Sequence, residues 1–230
     1  MHHNTPINLA EVEKVALALG ELNDDMIYVG GAVVGFYAQD EGAEPVRPTK
    51  DIDLSVKVST YAQMEVLREK LAAKGIYPAV TETVLYRYVY QGILIDFIPY
   101  DETPLGPTNR WLKPGFARAI PFKIGEIEIR ILPVSLFLAT KWEAYNNRGG
   151  DPRMSHDFED IIYILDNCVQ VVDDVAQADE LVKVYLRNMS NEVLNDPYHI
   201  EVIECHLNPY ARLERRTMII EKLQKIRASE

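Results

Sequence analysis

The strongest constraint on the fold is a change in hydrophobic periodicity near Pro133. Before this residue, short strand-like segments such as MIYVGG, KDIDLSVKV and ILIDFIPY are interspersed with segments of helical spacing. After it, all four longer segments, from VSLFLATKWEAYNNRG to YARLERRTMIIEKLQKIRA, are helical in pattern. We therefore predict an α+β chain, with a small mixed sheet and flanking helices over 1–133 and a C-terminal helical bundle over 134–230.

The net charge limits the classes of partner that this chain can bind. A formal charge of −11 over 230 residues excludes a protein that coats nucleic acid with its whole surface, because such affinity comes from neutralising phosphates. The last predicted helix is locally basic. It either binds RNA or is an amphipathic helix with a charged outer face, and we favour the second interpretation. Its basic residues are Arg212, Arg215, Arg216, Lys222, Lys225 and Arg227.

Cysteine usage and hydropathy favour a cytoplasmic protein without a membrane segment. Cys168 and Cys205 lie far apart and form no CxxC pair, so we predict two buried thiols in a reducing compartment. No apolar run is long enough to cross a bilayer, and the N-terminal residues lack the pattern of a signal peptide.

The segment RPTKDIDLSV places two acids on one face of a predicted strand. Side chains at i and i+2 share a face, so Asp51 and Asp53 project together while Ile52 and Leu54 face the core. Two adjacent carboxylates repel each other, and a divalent cation such as Mg²⁺ removes that conflict. The alternative is a strand entrance with two solvent-facing acids.

Asp96 is a lone acid within the apolar strand ILIDFIPY. A buried acid needs a partner, a metal or a raised pKa. If this strand pairs beside the Asp51–Asp53 strand, the carboxylates converge and can hold two metal ions for in-line displacement at phosphorus. The alternative is an acid at a strand end that pairs with Arg87 or Lys57.

The segment YVGGAVVGFYAQ predicts a strand, a glycine pair and a helix that begins at the glycines. Gly30 and Gly31 would let backbone N–H groups approach an anion closely at the start of that helix. The alternative is a tight turn.

Together these blocks resemble the DNA polymerase beta-like nucleotidyltransferase superfamily. The blocks VGGAVVGFYAQ and RPTKDIDLSV are most similar to the AbiEii-type toxins of abortive-infection and toxin–antitoxin systems. The resemblance continues in ATKWEAYNNRG and SHDFEDIIYIL, which supply a lysine and an arginine on one helix and an Asp-x-x-Asp segment on the next.

The resemblance implies a role for each matching residue. Asp51, Asp53 and Asp96 would hold catalytic Mg²⁺, with Asp96 as a candidate base. Gly30 and Gly31 would bind the triphosphate, and Arg47 and Thr49 would support either the phosphate side or the loop. Lys141 would contact the phosphates. Arg148 lies at i+7 from Lys141 and can reach the same anion. Either Asp157 or Asp160 would be a further catalytic acid, and Asp160 could instead pair with Lys141 and orient it.

The function implied is transfer of a nucleoside monophosphate from an NTP to a hydroxyl acceptor in a cleft between the two parts. The acceptor would be a tRNA 3′ end or a protein side chain, and a cognate antitoxin is an expected partner. Two alternatives stay open: a catalytically inactive nucleotide-binding regulator, and a protein whose helical half binds a partner without nucleotide.

Overall fold

The computed structural model describes residues 9–79, 86–101 and 108–229. Within these ranges the strands are β1 (Met26–Val29), β2 (Asp51–Val56), β3 (Tyr77–Pro78), β4 (Arg87–Tyr90), β5 (Ile93–Pro99), β6 (Ile120–Ile124) and β7 (Ile127–Ile131). The α-helices are α1 (Leu9–Leu19), α2 (Tyr61–Ala73), α3 (Leu112–Arg118), α4 (Val134–Arg148), α5 (His156–Asn167), α6 (Val171–Ala176), α7 (Glu180–Asn195), α8 (Pro197–Ile203) and α9 (Arg212–Ala228). Short 3-10 helices cover Gly20–Asp25, Gly31–Tyr37, Pro152–Met154 and Glu204–His206.

The described strands form one mixed sheet in the order β3-β4-β5-β2-β1-β7-β6. The central pair, β2 and β5, is parallel, and β1 runs antiparallel to β2. Hairpins β4–β5 and β6–β7 extend the sheet on its two sides. This mixed sheet, with helices around it and helices after it, confirms the predicted α+β class.

Alternation along the central strands separates an apolar face from an acidic one. Ile52, Leu54, Ile95 and Phe97 are fully buried, and Tyr88 packs edge-on against Phe97 with ring centroids 5.1 Å apart. Asp51, Asp53 and Asp96 alternate with these residues and are partly exposed. The buried face therefore anchors the strands that carry the acids.

The chain divides into two compact units that differ slightly from the predicted division. One comprises 1–33 and 47–132, and the other comprises 34–46 and 133–230. The second unit thus includes a short segment from the first half of the chain, which the hydrophobic pattern alone did not indicate.

In the second unit, much of the basic C-terminal helix is occupied by internal bonds. Arg215 contacts Asp40 at 3.0 Å and Asp166 at 2.9 Å. Lys222 donates to the backbone oxygens of Leu165 and Cys168, at 2.7 Å and 3.0 Å. These bonds satisfy carbonyls at the end of α5 and tie α9 to it.

Another base of α9 is also paired within the second unit. Arg216 contacts Glu204 at 2.7 Å. Half of the predicted basic set therefore holds this unit together.

The structure adds local detail to two segments and corrects one expectation. The segment after the glycine pair is a helix that begins at Gly31, as predicted, and it is a 3-10 helix, Gly31–Tyr37. The turn between β6 and β7 falls at Gly125 and the following residue, and Ile124 is buried at the end of β6. Cys168 is buried as predicted, but Cys205 is exposed.

None of the helices in the described ranges is both long enough and apolar enough to cross a bilayer.

Leu54 and Leu17 form a matched test of this core. Leu54 is fully buried in β2, whereas Leu17 is 60% exposed on α1. We expect Leu54→Ala to lower the free energy of unfolding by about 2–5 kcal/mol, because it leaves a cavity. Leu17→Ala should change it by less than about 0.5 kcal/mol. Urea unfolding followed by circular dichroism measures both, and equal losses would contradict the assigned face.

Candidate active site

Two neighbouring parallel strands bring the predicted acids together. In the register of β2 and β5, Asp53 lies opposite Asp96, and Asp51 is two residues before Asp53 on the same face. Paired strands are about 4.8 Å apart. The predicted convergence of Asp51, Asp53 and Asp96 on one face of the sheet is therefore observed.

Arg87 connects two of these acids. It lies opposite Asp96 in the β4–β5 hairpin. Its Nε donates to Asp96 Oδ1 at 2.8 Å, and its Nη2 donates to Asp96 Oδ2 at 2.8 Å and to Asp51 Oδ2 at 2.7 Å. The alternative pairing of Asp96 with Arg87 is thus present together with the convergence of the acids. The other candidate, Lys57, instead lies over the Phe116 ring, 5.3 Å from its centroid.

The electrostatics of Asp51 reflect this crowding. Burial raises the pKa of Asp51 above its ordinary value, and the charge of Asp96 raises it further. The Arg87 guanidinium and a hydrogen bond from Thr49 Oγ1 lower that pKa. The positive charge therefore offsets part of the repulsion between the carboxylates.

The glycine pair lies against the same cluster. Gly30 follows β1 directly and has φ +72°. A Cβ atom at this position would lie 1.9 Å from Asp53 Oδ2. The Asp53 carboxylate thus occupies the space that only glycine leaves open.

Arg47 and Thr49 lie over the second glycine. A Cβ at Gly31 would be 3.0 Å from Arg47 Nη2 and 3.4 Å from Thr49 Oγ1. Four of the predicted phosphate-binding residues, Gly30, Gly31, Arg47 and Thr49, therefore lie together in the first unit next to the acids, whereas Lys141 and Arg148 belong to the second unit. A guanidinium, a hydroxyl and glycine backbone are groups that bind phosphate oxygens.

The residue types suit a divalent cation, but Arg87 already bonds to two of the three acids. Three carboxylates on one face, Asp51, Asp53 and Asp96, are the ligands that Mg²⁺ prefers. Across residues 9–79, 86–101 and 108–229, no group of three Asp, Glu, His or Cys side chains is positioned to hold a metal ion. The assignment of Mg²⁺ to these acids stays a prediction.

The helical unit contains a separate buried ion network. Lys141 Nζ contacts Asp160 Oδ2 at 2.7 Å and Asp157 Oδ1 at 3.3 Å, and all three side chains are at most 8% exposed. Arg148, which is 72% exposed, reaches Asp157 Oδ2 at 2.5 Å. The predicted i, i+7 face of Lys141 and Arg148 is present, and Asp160 pairs with Lys141 as the alternative proposed. Their roles in a reaction stay predictions.

Sequence reasoning identified Arg87 only as a partner of Asp96. Its second bond, to Asp51, depends on the order β4-β5-β2 within the sheet, which local patterns do not specify. The available signal was the alternation in LYRYVY, which puts Arg87 on the face opposite the buried Tyr88.

Comparison with solved structures supports the fold assignment. The chain is similar to an antigenic nucleotidyltransferase-like protein from Paracoccidioides brasiliensis, with 16% sequence identity and a TM-score of 0.52. The match covers 90% of this chain and 96% of that one. At this identity it shows a nucleotidyltransferase-like fold. No family model matches the sequence, and no curated protein matches it.

Gly30 and Gly92 provide a matched test of the glycine–acid contact. Both have positive φ, +72° and +85°, but a Cβ at Gly92 would meet nothing within 4 Å. Gly92→Ala should cost only the left-handed strain, about 1–2 kcal/mol. Gly30→Ala should cost more, since its methyl group must also displace Asp53. Free energies of unfolding from urea titrations test this, and equal costs would contradict the contact.

The buried network predicts a large effect at Asp160. Asp160→Ala removes the 2.7 Å ion pair of the buried Lys141, and we expect a loss of about 3–5 kcal/mol in the free energy of unfolding. Glu180→Ala, which removes a 64% exposed partner of Lys183, is the control and should cost less than about 1 kcal/mol. Similar losses in urea unfolding would show that Lys141 is not desolvated.

Proposed function

We propose that this chain is a metal-dependent nucleotidyltransferase that moves a nucleoside monophosphate from an NTP to a hydroxyl acceptor. One observation carries the proposal: Asp51, Asp53 and Asp96 share one face of two parallel strands, directly beside Gly30. The nucleotidyltransferase-like fold supports a nucleotide as substrate.

The reaction forms one bond and breaks another at the α-phosphorus. The acceptor oxygen attacks this atom, the bond to the β-phosphate oxygen breaks, and pyrophosphate leaves. The acceptor proton passes to a carboxylate of the cluster, for which Asp96 is our candidate. Mg²⁺ held by Asp51, Asp53 and Asp96 would neutralise charge on the phosphates and activate the acceptor hydroxyl.

The phosphate side of the site is assigned to Gly30, Gly31, Arg47 and Thr49. Arg47 brings a planar donor suited to phosphate oxygens, and Thr49 brings a hydroxyl beside Asp51. The glycines allow a phosphate to approach the backbone without obstruction by a side chain. The resemblance implies that the same reaction also uses Lys141, Arg148, Asp157 and Asp160.

The contacts of the C-terminal helix bear on the choice between RNA and protein as the acceptor. Arg215, Arg216 and Lys222 bond within their own unit, which weakens the argument for RNA drawn from local basic charge. With a net charge of −11, we favour a protein side chain over a tRNA 3′ end. A toxin of the AbiEii type, neutralised by a cognate antitoxin, is the finer assignment that the sequence resemblance supports.

A second candidate is a nucleotide-binding regulator without transferase activity. The bidentate bonding of Asp96 by Arg87 favours it, because this carboxylate is already satisfied without a metal. Both candidates predict stabilisation by NTP in a thermal-shift assay, since the ligand binds the folded state. Only the transferase predicts product.

Asp53→Asn tests the transfer reaction. The parent is incubated with each α-³²P-labelled NTP, Mg²⁺, and either total protein or total RNA. We expect labelled product from the parent, and at least a hundredfold slower transfer, as an order of magnitude, from Asp53→Asn because a charge that supports the transition state is lost. Asp24→Asn, at an exposed acid next to β1, is the control and should match the parent. Equal rates for Asp53→Asn and the parent would overturn the site.

A further inference from the structure

The acidic cluster already contains a bound cation, the guanidinium of Arg87. It makes a bidentate contact with Asp96 and a single hydrogen bond to Asp51, all between 2.7 Å and 2.8 Å. The side chains are only 18%, 13% and 25% exposed for Arg87, Asp96 and Asp51. These charge-assisted bonds are therefore partly shielded from water and stronger than surface pairs.

We propose that Arg87 is a positioning residue that holds the cluster closed to divalent cations and opens it by releasing first Asp51 and then Asp96. The inference rests on the proposed function, because the cation that Arg87 opposes is the one that the transfer requires. We call the contact of Arg87 with Asp51 and Asp96 the gate. Without it, the acids would attract a metal ion at all times.

The two links of Arg87 differ in strength, which sets the order of opening. Arg87 and Asp96 face each other on paired strands and share two bonds, so their contact is fixed by the β4–β5 hairpin. Asp51 lies beyond β5 on β2 and shares one bond, through an Nη2 atom that also serves Asp96. The single bond is the one that breaks first.

Two features oppose the binding of a cation between Asp51 and Asp96 while Arg87 stays bonded to them. Asp51 Oδ2 and both oxygens of Asp96 already accept hydrogen bonds from Arg87. A guanidinium within contact distance of these oxygens also repels an incoming dication. An NTP brings negative charge that offsets this repulsion. The gate therefore favours entry of the metal ion together with the nucleotide.

A purely structural Arg87 makes a different prediction. If it only ties the strands together, its removal lowers stability and disorders the acids, and metal affinity falls. If it opposes the cation, its removal strengthens metal binding in the protein without nucleotide. The direction of the change in metal affinity separates the two roles, whatever happens to stability.

The test measures Mn²⁺ binding to the nucleotide-free protein, using the electron paramagnetic resonance signal of free Mn²⁺. We expect Arg87→Met to bind Mn²⁺ about tenfold or more tightly than the parent, because a nearby positive charge is removed. Arg68→Met is the control: it deletes one charge from the exposed Arg68–Glu65 pair on α2, and its affinity should stay at the parent value. Equal or weaker binding by Arg87→Met overturns the inference.

A second variant ties the effect to the cluster. Adding Asp53→Asn to Arg87→Met should abolish the gained affinity, and retention of that affinity would place the ion elsewhere and overturn the inference. If Arg87→Met does not fold, Arg87→Lys decides. One ammonium group cannot reproduce the fork that bridges two carboxylates, so binding should be tighter than in the parent, and no gain refutes the gate.

This result is independent of the transfer assay. Tighter Mn²⁺ binding by Arg87→Met without any labelled product would support the gate and contradict the proposed transferase activity. Product with no gain in Mn²⁺ affinity would do the reverse.

Discussion

The parallel, in-register pairing of β2 with β5 is the constraint on which the candidate site depends. It sets Asp53 opposite Asp96 and puts Asp51 on the same face. A shift of one residue in that register would turn Asp96 towards the face that buries Leu54 and Phe97, where an ionised carboxylate is costly. The apolar face therefore fixes the position of the acids, and packing and chemistry are set by the same strand pairing.

Two different contacts accommodate the three acids on one face of the sheet. Arg87 supplies positive charge between Asp51 and Asp96, while Gly30 leaves room for the Asp53 carboxylate against the backbone. The first is an electrostatic solution and the second a steric one. The first concerns Asp51 and Asp96 and the second concerns Asp53, so the environment of Asp53 differs from that of the other two acids although all three share one face.

Local sequence patterns were sufficient for the acid-bearing strands but not for their surroundings. Period-two alternation identified the faces of Asp51, Asp53 and Asp96, because strand geometry depends only on neighbouring residues. The contact of Arg87 with Asp51 depends on strand order, and the inclusion of 34–46 in the helical unit depends on packing over long sequence distances. A helix after Gly30 was predicted, but not its 3-10 type, since apolar spacing does not distinguish a 3-10 helix from a short α-helix. The pairing of Lys141 with Asp160 was one of the alternatives considered for Asp160, and the structure contains it.

The turn at Gln91 and Gly92, both with positive φ, has a consequence for how the chain assembles. It joins β4 and β5 so closely that Arg87 and Asp96 are separated by only nine positions in sequence. A hairpin of this size closes within about 1–10 μs, whereas joining β5 to the parallel β2 requires a much longer loop to close. The order of events then follows from chain entropy: Asp96 acquires its counter-ion early, and β2 later docks against an edge whose charge is already neutralised.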